Sequence, residues 1–171
     1  MKVVLVGYMA SGKSSVGKQL AIELGLEFVD LDNYIEQEQQ NTINGIFQEK
    51  GEIFFRKLEH QMLSKVLEEK QSMVLSTGGG TPCYAGNMNT ILAKSDHSIY
   101  LQLPVMALVN RIAKENDQRP LVKDLSEDEL AEFVGKHLFE RRNYYSQATL
   151  VLDCLDKSIE ELITEIKQEL L

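Results

Sequence analysis

The stretch KVVLVGYMASGKSS, residues 2–15, joins an apolar, β-branched run to two glycines, a lysine and three serines. Four residues lie between Gly7 and Gly12, and Lys13 and Ser14 follow at once, which completes the spacing of a phosphate-binding loop. Bare glycine backbone lets such a loop turn sharply and bring its N–H groups against phosphate oxygens. Lys13 then reaches the β- and γ-phosphates, and the Ser14 hydroxyl is placed for Mg²⁺. The flanks fit the motif. Val3–Val6 reads as a strand, Val16, Leu20 and Leu24 recur at helical spacing, and Gly25 sits where a helix ends. The helix N-terminus adds its own N–H groups and dipole to the anion site. A nucleoside triphosphate site is expected, with Gly7, Ala10, Ser11, Gly12, Lys13, Ser14 and Ser15 contacting the nucleotide.

The rest of the chain bounds the setting of that site. The 171 residues suit one domain with a substantial core, and 43% hydrophobic with 26% charged residues is ordinary for a globular protein. No apolar run approaches the ~20 residues of a membrane helix, and the opening residues lack the length of a signal peptide. The cytoplasm is the expected compartment. A net charge of −8 argues against a general nucleic-acid binder. Cys83 and Cys154 lie far apart without metal-ligand spacing, so two reduced structural thiols are expected.

Strand-like and helical patterns alternate without linker or repeat. Strands are expected at Val3–Val6, Glu27–Asp30, Met73–Ser76, Ser98–Leu103 and Thr149–Leu152. The longest helical pattern runs from about Glu52 to Lys70, with Phe55, Leu58, Met62 and Val66 on one face. Ser126 with Glu129 and Ser158 with Glu161 read as capping boxes. Such alternation implies an α/β fold, a parallel sheet covered by helices on both faces. Ligands of that architecture gather beyond the carboxyl ends of the strands.

Chemistry-bearing residues cluster at those strand ends. FVDLDNY places Asp30 and Asp32 two apart, on the same side if the segment stays extended. Either can serve Mg²⁺ or accept a hydroxyl proton, and Asp32 or Asn33 can instead cap the following helix. STGGGTP carries Gly78, Gly79 and Gly80 directly after a strand, a costly run unless a ligand approaches the bare backbone. Arg56 and Glu59 form either a solvated i, i+3 pair or a guanidinium held in place for a ligand. The polar stretch 114–124 contains Arg119-Pro120 and is either a plain loop or an arginine-bearing lid over the nucleotide.

Five motifs in order, GYMASGKS (7–14), FVDLD (28–32), FRKLE (55–59), TGGG (77–80) and QRPL (118–121), resemble the shikimate kinase family over essentially the whole chain. That family belongs to the nucleoside-monophosphate-kinase-like branch of phosphate-loop kinases. A sixth motif, ERRNYYSQA at 140–148, is looser: Asn143 stands where the family usually has proline. It offers Arg141 or Arg142, and the spacing to Tyr145 favours Arg141. The resemblance implies a five-stranded parallel sheet, a substrate-binding segment at about 32–60 and a lid at about 114–124. It implies ATP-dependent phosphorylation of the shikimate 3-hydroxyl with Mg²⁺. Asp32, Arg56, Gly78, Gly79, Gly80 and Arg141 match the family's shikimate-binding residues. Lys13, Asp32 and Arg119 match its catalytic ones, Ser14 and Asp30 would serve the metal, and Arg111 would pack beside adenine. A monomer is expected, since nothing in the sequence demands a partner. The competing readings are a kinase for gluconate or a nucleoside monophosphate, a phosphate-loop switch that binds a protein, and an inactive homologue. The triple glycine and DxD spacing favour shikimate, a guanine-specificity motif is missing, and the catalytic set is intact.

Overall fold

The computed structural model describes residues 1–115 and 122–171. Five strands form one sheet: β1 (Lys2–Val6), β2 (Phe28–Asp30), β3 (Met73–Ser76), β4 (His97–Gln102) and β5 (Leu150–Asp153). Their order is β2-β3-β1-β4-β5, and every pairing is parallel. Val3, Val4, Leu5 and Val6 are fully buried in the sheet's centre, which is why that strand reads as an unbroken aliphatic run.

Helices cover the sheet. They are α1 (Lys13–Leu24), α2 (Leu31–Gln39), α3 (Ile43–Glu69), α4 (Asn87–Lys94), α5 (Val105–Lys114), α6 (Glu127–Tyr145) and α7 (Ile159–Leu170). The expected stops and starts are present. Gly25 closes α1 at φ 64°, and both capping boxes form, Ser126 with Glu129 and Ser158 with Glu161. The long helix starts earlier than its apolar pattern suggested. Thr42 caps it by accepting from Gly45 N at 3.0 Å, and a first limb runs to a break at Gly51 (φ 83°, ψ 174°) before the expected limb begins.

Register fixes where the site lies. Asp30 of β2 and Leu5 of β1 both pair with Ser76 of β3, so three strands end level with one another. The phosphate loop, the aspartate pair and the triple glycine therefore leave the sheet side by side. Both cysteines are unpaired, as expected, and burial pushes each thiol up to about 11. No helix among the described residues is long and apolar enough to cross a membrane.

Candidate active site

A cleft of about 580 Å³ opens at the carboxyl ends of β1, β2 and β3. Its floor is the loop between β1 and α1. Ser11 N donates to Tyr8 O at 3.2 Å and Val16 N to Gly12 O at 2.9 Å, so the loop closes directly into the first turn of α1. Gly7 and Gly12 lie at φ 148° and 95°, the conformations the motif needs glycine to supply. Lys13 is buried, and its Nζ donates to the carbonyls of Gly7 (2.8 Å) and Tyr8 (2.9 Å), holding the ammonium across the loop. Ser14 and Ser15 stay exposed on the first helical turn and line the cleft with Ala10, Ser11 and Gly12. Arg111 reaches over from α5, donating to Ala10 O at 3.3 Å.

The two aspartates are arranged otherwise than an extended pair. β2 ends at Asp30 and α2 starts at Leu31, so helix geometry, not strand pleat, relates them. Asp30, and neither Asp32 nor Asn33, is the cap: Oδ1 accepts from Asn33 N at 3.1 Å, while Oδ2 accepts from Ser14 Oγ at 3.2 Å. Asp32 is left without capping duty in the first turn of α2 and faces the cleft. Burial, then the nearby carboxylates of Asp30 and Glu59, raise its carboxyl from the ordinary 3.8 to about 6, against a partial offset from Lys13.

The triple glycine is where Asp32, Arg56 and Arg141 meet. A methyl group added at Gly78 would stand 3.3 Å from Asp32 Oδ1. One added at Gly80 would stand 2.9 and 3.0 Å from the Arg56 terminal nitrogens and 3.2 Å from Arg141 Nη2. Two guanidinium groups thus lie against bare backbone that any side chain would displace. Arg141 faces this loop, whereas Arg142 lines a separate hollow with Tyr100 and Leu103.

Glu59, named in the sequence as a possible support for Arg56, and further anchors missed there hold that loop. Glu59 is buried, accepting from Arg56 Nη1 at 3.0 Å and from Thr81 Oγ1 at 2.9 Å, so its pair with Arg56 is not the solvated kind. Asn87 donates to Thr81 O at 2.9 Å and meets His60 Nδ1 at 2.7 Å through its amide oxygen. The Tyr145 hydroxyl donates to Gly79 O. Lys157, Ile159 and Leu162 bring α7 to the nucleotide end of the cleft. Thr81 had a local signal, since it directly follows the glycines; Asn87, six residues further on, and the α7 wall, from distant chain, had none. Arg119 and the centre of the expected lid lie outside the described residues.

Sheet order, phosphate loop and a carboxylate beside it define a phosphate-loop phosphotransferase of the small-kinase type. The comparisons with known proteins give the same class and narrow it. A model of the shikimate kinase family matches residues 9–171. The shikimate kinase of Flavobacterium psychrophilum is 52% identical over 168 residues, 96% of either chain. The crystal structure of shikimate kinase from Bacteroides thetaiotaomicron superposes with a TM-score of 0.93 at 34% identity, over 99% of this chain and 98% of that one. Shikimate kinase from Acinetobacter baumannii, in complex with shikimate, gives 0.87 at 30%, over 99% and 92%. Deoxyadenosine kinase from M. mycoides, only 16% identical with a TM-score of 0.61, shares the fold. The chain belongs to the shikimate kinase family, whose members use ATP to phosphorylate shikimate.

Proposed function

We infer that this chain transfers the γ-phosphoryl group of ATP to the 3-hydroxyl of shikimate, giving shikimate 3-phosphate and ADP in aromatic amino-acid biosynthesis. The observation that carries the reading is the convergence of Arg56, Arg141 and Asp32 on the triple glycine beside the phosphate loop. A small polyhydroxy acid needs fixed guanidinium groups for its anion and a carboxylate near the reacting hydroxyl. Arg56 and Arg141 are assigned to the substrate carboxylate. Asp32 is assigned to the ring hydroxyls and to the proton of the one that attacks; its carboxyl, raised to about 6, is ionised and ready to accept at neutral pH. Lys13 and the loop N–H groups counter charge on the transferred phosphoryl oxygens. Arg111 is assigned to the adenine side, and Arg119 to the transfer step on its sequence match alone.

Ser14 and Asp30 are assigned to Mg²⁺. Their oxygens, 3.2 Å apart at the cleft, are the hard donors this ion takes beside phosphate oxygens and water. No cluster of three or more metal-ligating side chains stands among the described residues, which suits an ion held largely by the nucleotide. An ion held there would supply positive charge against the negative charge of the phosphate oxygens. The segments at about 32–60 and 114–124 are assigned to acceptor binding and to a lid. A monomer that binds neither nucleic acid nor membrane is the form proposed.

ADP release is the test, measured with shikimate, gluconate and nucleoside monophosphates in turn. Mg²⁺-dependent turnover is expected with shikimate; turnover with gluconate and not shikimate overturns the assignment. Lys13→Met is expected to lower kcat by roughly 10² or more through lost charge stabilisation. Arg56→Ala is expected to raise KM for shikimate and leave that for ATP nearly unchanged.

A further inference from the structure

We propose that Tyr84 is a positioning residue for the acceptor: its ring holds the Arg56 guanidinium over Gly80 and so sets affinity for the substrate carboxylate. This rests on the assignment of Arg56 above. The guanidinium carbon of Arg56 lies 4.0 Å from the Tyr84 ring centroid, well inside cation–π range, with the Phe55 ring further off at 5.4 Å. Glu59 occupies only one edge of the guanidinium, through Nη1. Among the described residues Arg56 Nε is buried with no hydrogen-bond partner, meeting Glu52 Oε1 only at 3.8 Å. One hydrogen bond from the buried side leaves the guanidinium plane free to rotate about that contact. The ring stacked on its face removes this freedom, so both terminal nitrogens stay over Gly80.

The backbone around Tyr84 is built to return the ring to that place. Asn87 N donates to Tyr84 O at 2.9 Å, closing a tight turn whose two central residues, Ala85 and Gly86, lie at φ 51° and 68°. An alanine in the left-handed region is strained and persists only where surroundings over-determine it. Here the buried Asn87 supplies that constraint, through Thr81 O and His60. Cys83 N, donating to Gly80 O at 3.0 Å, ties the same turn to the triple glycine. Tyr84, Arg56 and Gly80 thus form one braced unit.

The experiment compares Tyr84→Leu, Tyr84→Phe, Arg56→Ala and the Tyr84→Leu/Arg56→Ala double variant, with steady-state kinetics for both substrates and Tm for each. Leucine keeps apolar bulk and loses the π face. Tyr84→Leu is expected to raise KM for shikimate about five- to tenfold, the scale of a partly desolvated cation–π contact, with kcat and KM for ATP within about twofold. Tyr84→Phe restores the wild-type KM, and Tyr84→Leu has no further effect once Arg56 is alanine. A wild-type KM in Tyr84→Leu, or an equal loss in the Arg56→Ala background, overturns the inference while leaving the assignment of Arg56 standing. A parallel fall in kcat, both affinities and Tm shows a merely structural residue and also overturns it. An Arg56→Ala enzyme with unchanged KM for shikimate overturns the site assignment and this inference together.

Discussion

Asp32 separates capping from chemistry at the level of a single side chain. With Asp30 as the cap, Asp32→Asn removes no helix-terminal hydrogen bond. It does remove a carboxylate held unfavourably beside Asp30 and Glu59. A folded carboxyl titrating near 6, above its ordinary 3.8, binds its proton more tightly than the unfolded chain does. Its ionised form therefore costs stability above pH 6, and that cost fades as pH falls towards 4. Asp32→Asn is expected to raise stability at pH 8, by at most about 2–3 kcal/mol, and to change little at pH 4, read as Tm. Its kcat is expected to drop ~10² or more, the low end for a lost general base where the transition state is loose. The wild-type enzyme should lose turnover below pH 6 as Asp32 takes up its proton. Glu59 shows the opposite sign. Glu59→Ala leaves the half-buried Arg56 and the buried Thr81 without this acceptor, and a loss of ~3 kcal/mol in denaturant titration is expected.

Helices and strands were legible where one face is apolar or a cap is spelled out. Every strand falls within a residue or two of its aliphatic run, and both capping boxes form. The first limb of α3 escaped because it is short: Ile43, Ile46 and Phe47 stand at helical spacing, but the pattern stops at Gly51 after barely two turns. The break at Gly51 is a property of backbone angles, which hydrophobic periodicity does not encode. A methyl group at Gly51 meets nothing within 4 Å, so Gly51→Ala isolates conformational strain from crowding. It is expected to cost roughly 1–3 kcal/mol, and crowding-driven loss of substrate affinity should not accompany it. Gly80→Ala is the converse case: a methyl 2.9 Å from a guanidinium nitrogen displaces both arginines, raising KM for shikimate far more than it lowers Tm. Site residues were readable from motif spacing, whereas their anchors were not. Thr81 to Glu59, Asn87 to His60 and Tyr145 to Gly79 are meetings between distant segments, set by strand order rather than by any local pattern.

For the molecule as a whole, one core links both ends of the cleft, so ligand binding is felt as global stability. ADP or shikimate at a hundredfold excess over its Kd is expected to raise Tm by about 5–10 °C in a chain of this size. Lys13→Met should erase the nucleotide's shift and retain that of shikimate, as measured by calorimetry. The strand order has another consequence, in the order of synthesis. β1 carries the phosphate loop, yet its two partners are β3 and β4, met at Lys2 with Met73 and at Val3 with His97. On a growing chain, Val3–Val6 leaves the ribosome long before either neighbour exists. Until Met73–Ser76 emerges, that apolar ribbon has two open edges; one stays open until His97–Gln102 follows, and the loop beyond it lacks its full frame. The element most needed for nucleotide binding is thus made before both of its neighbours and completed late, with an apolar edge open through much of synthesis.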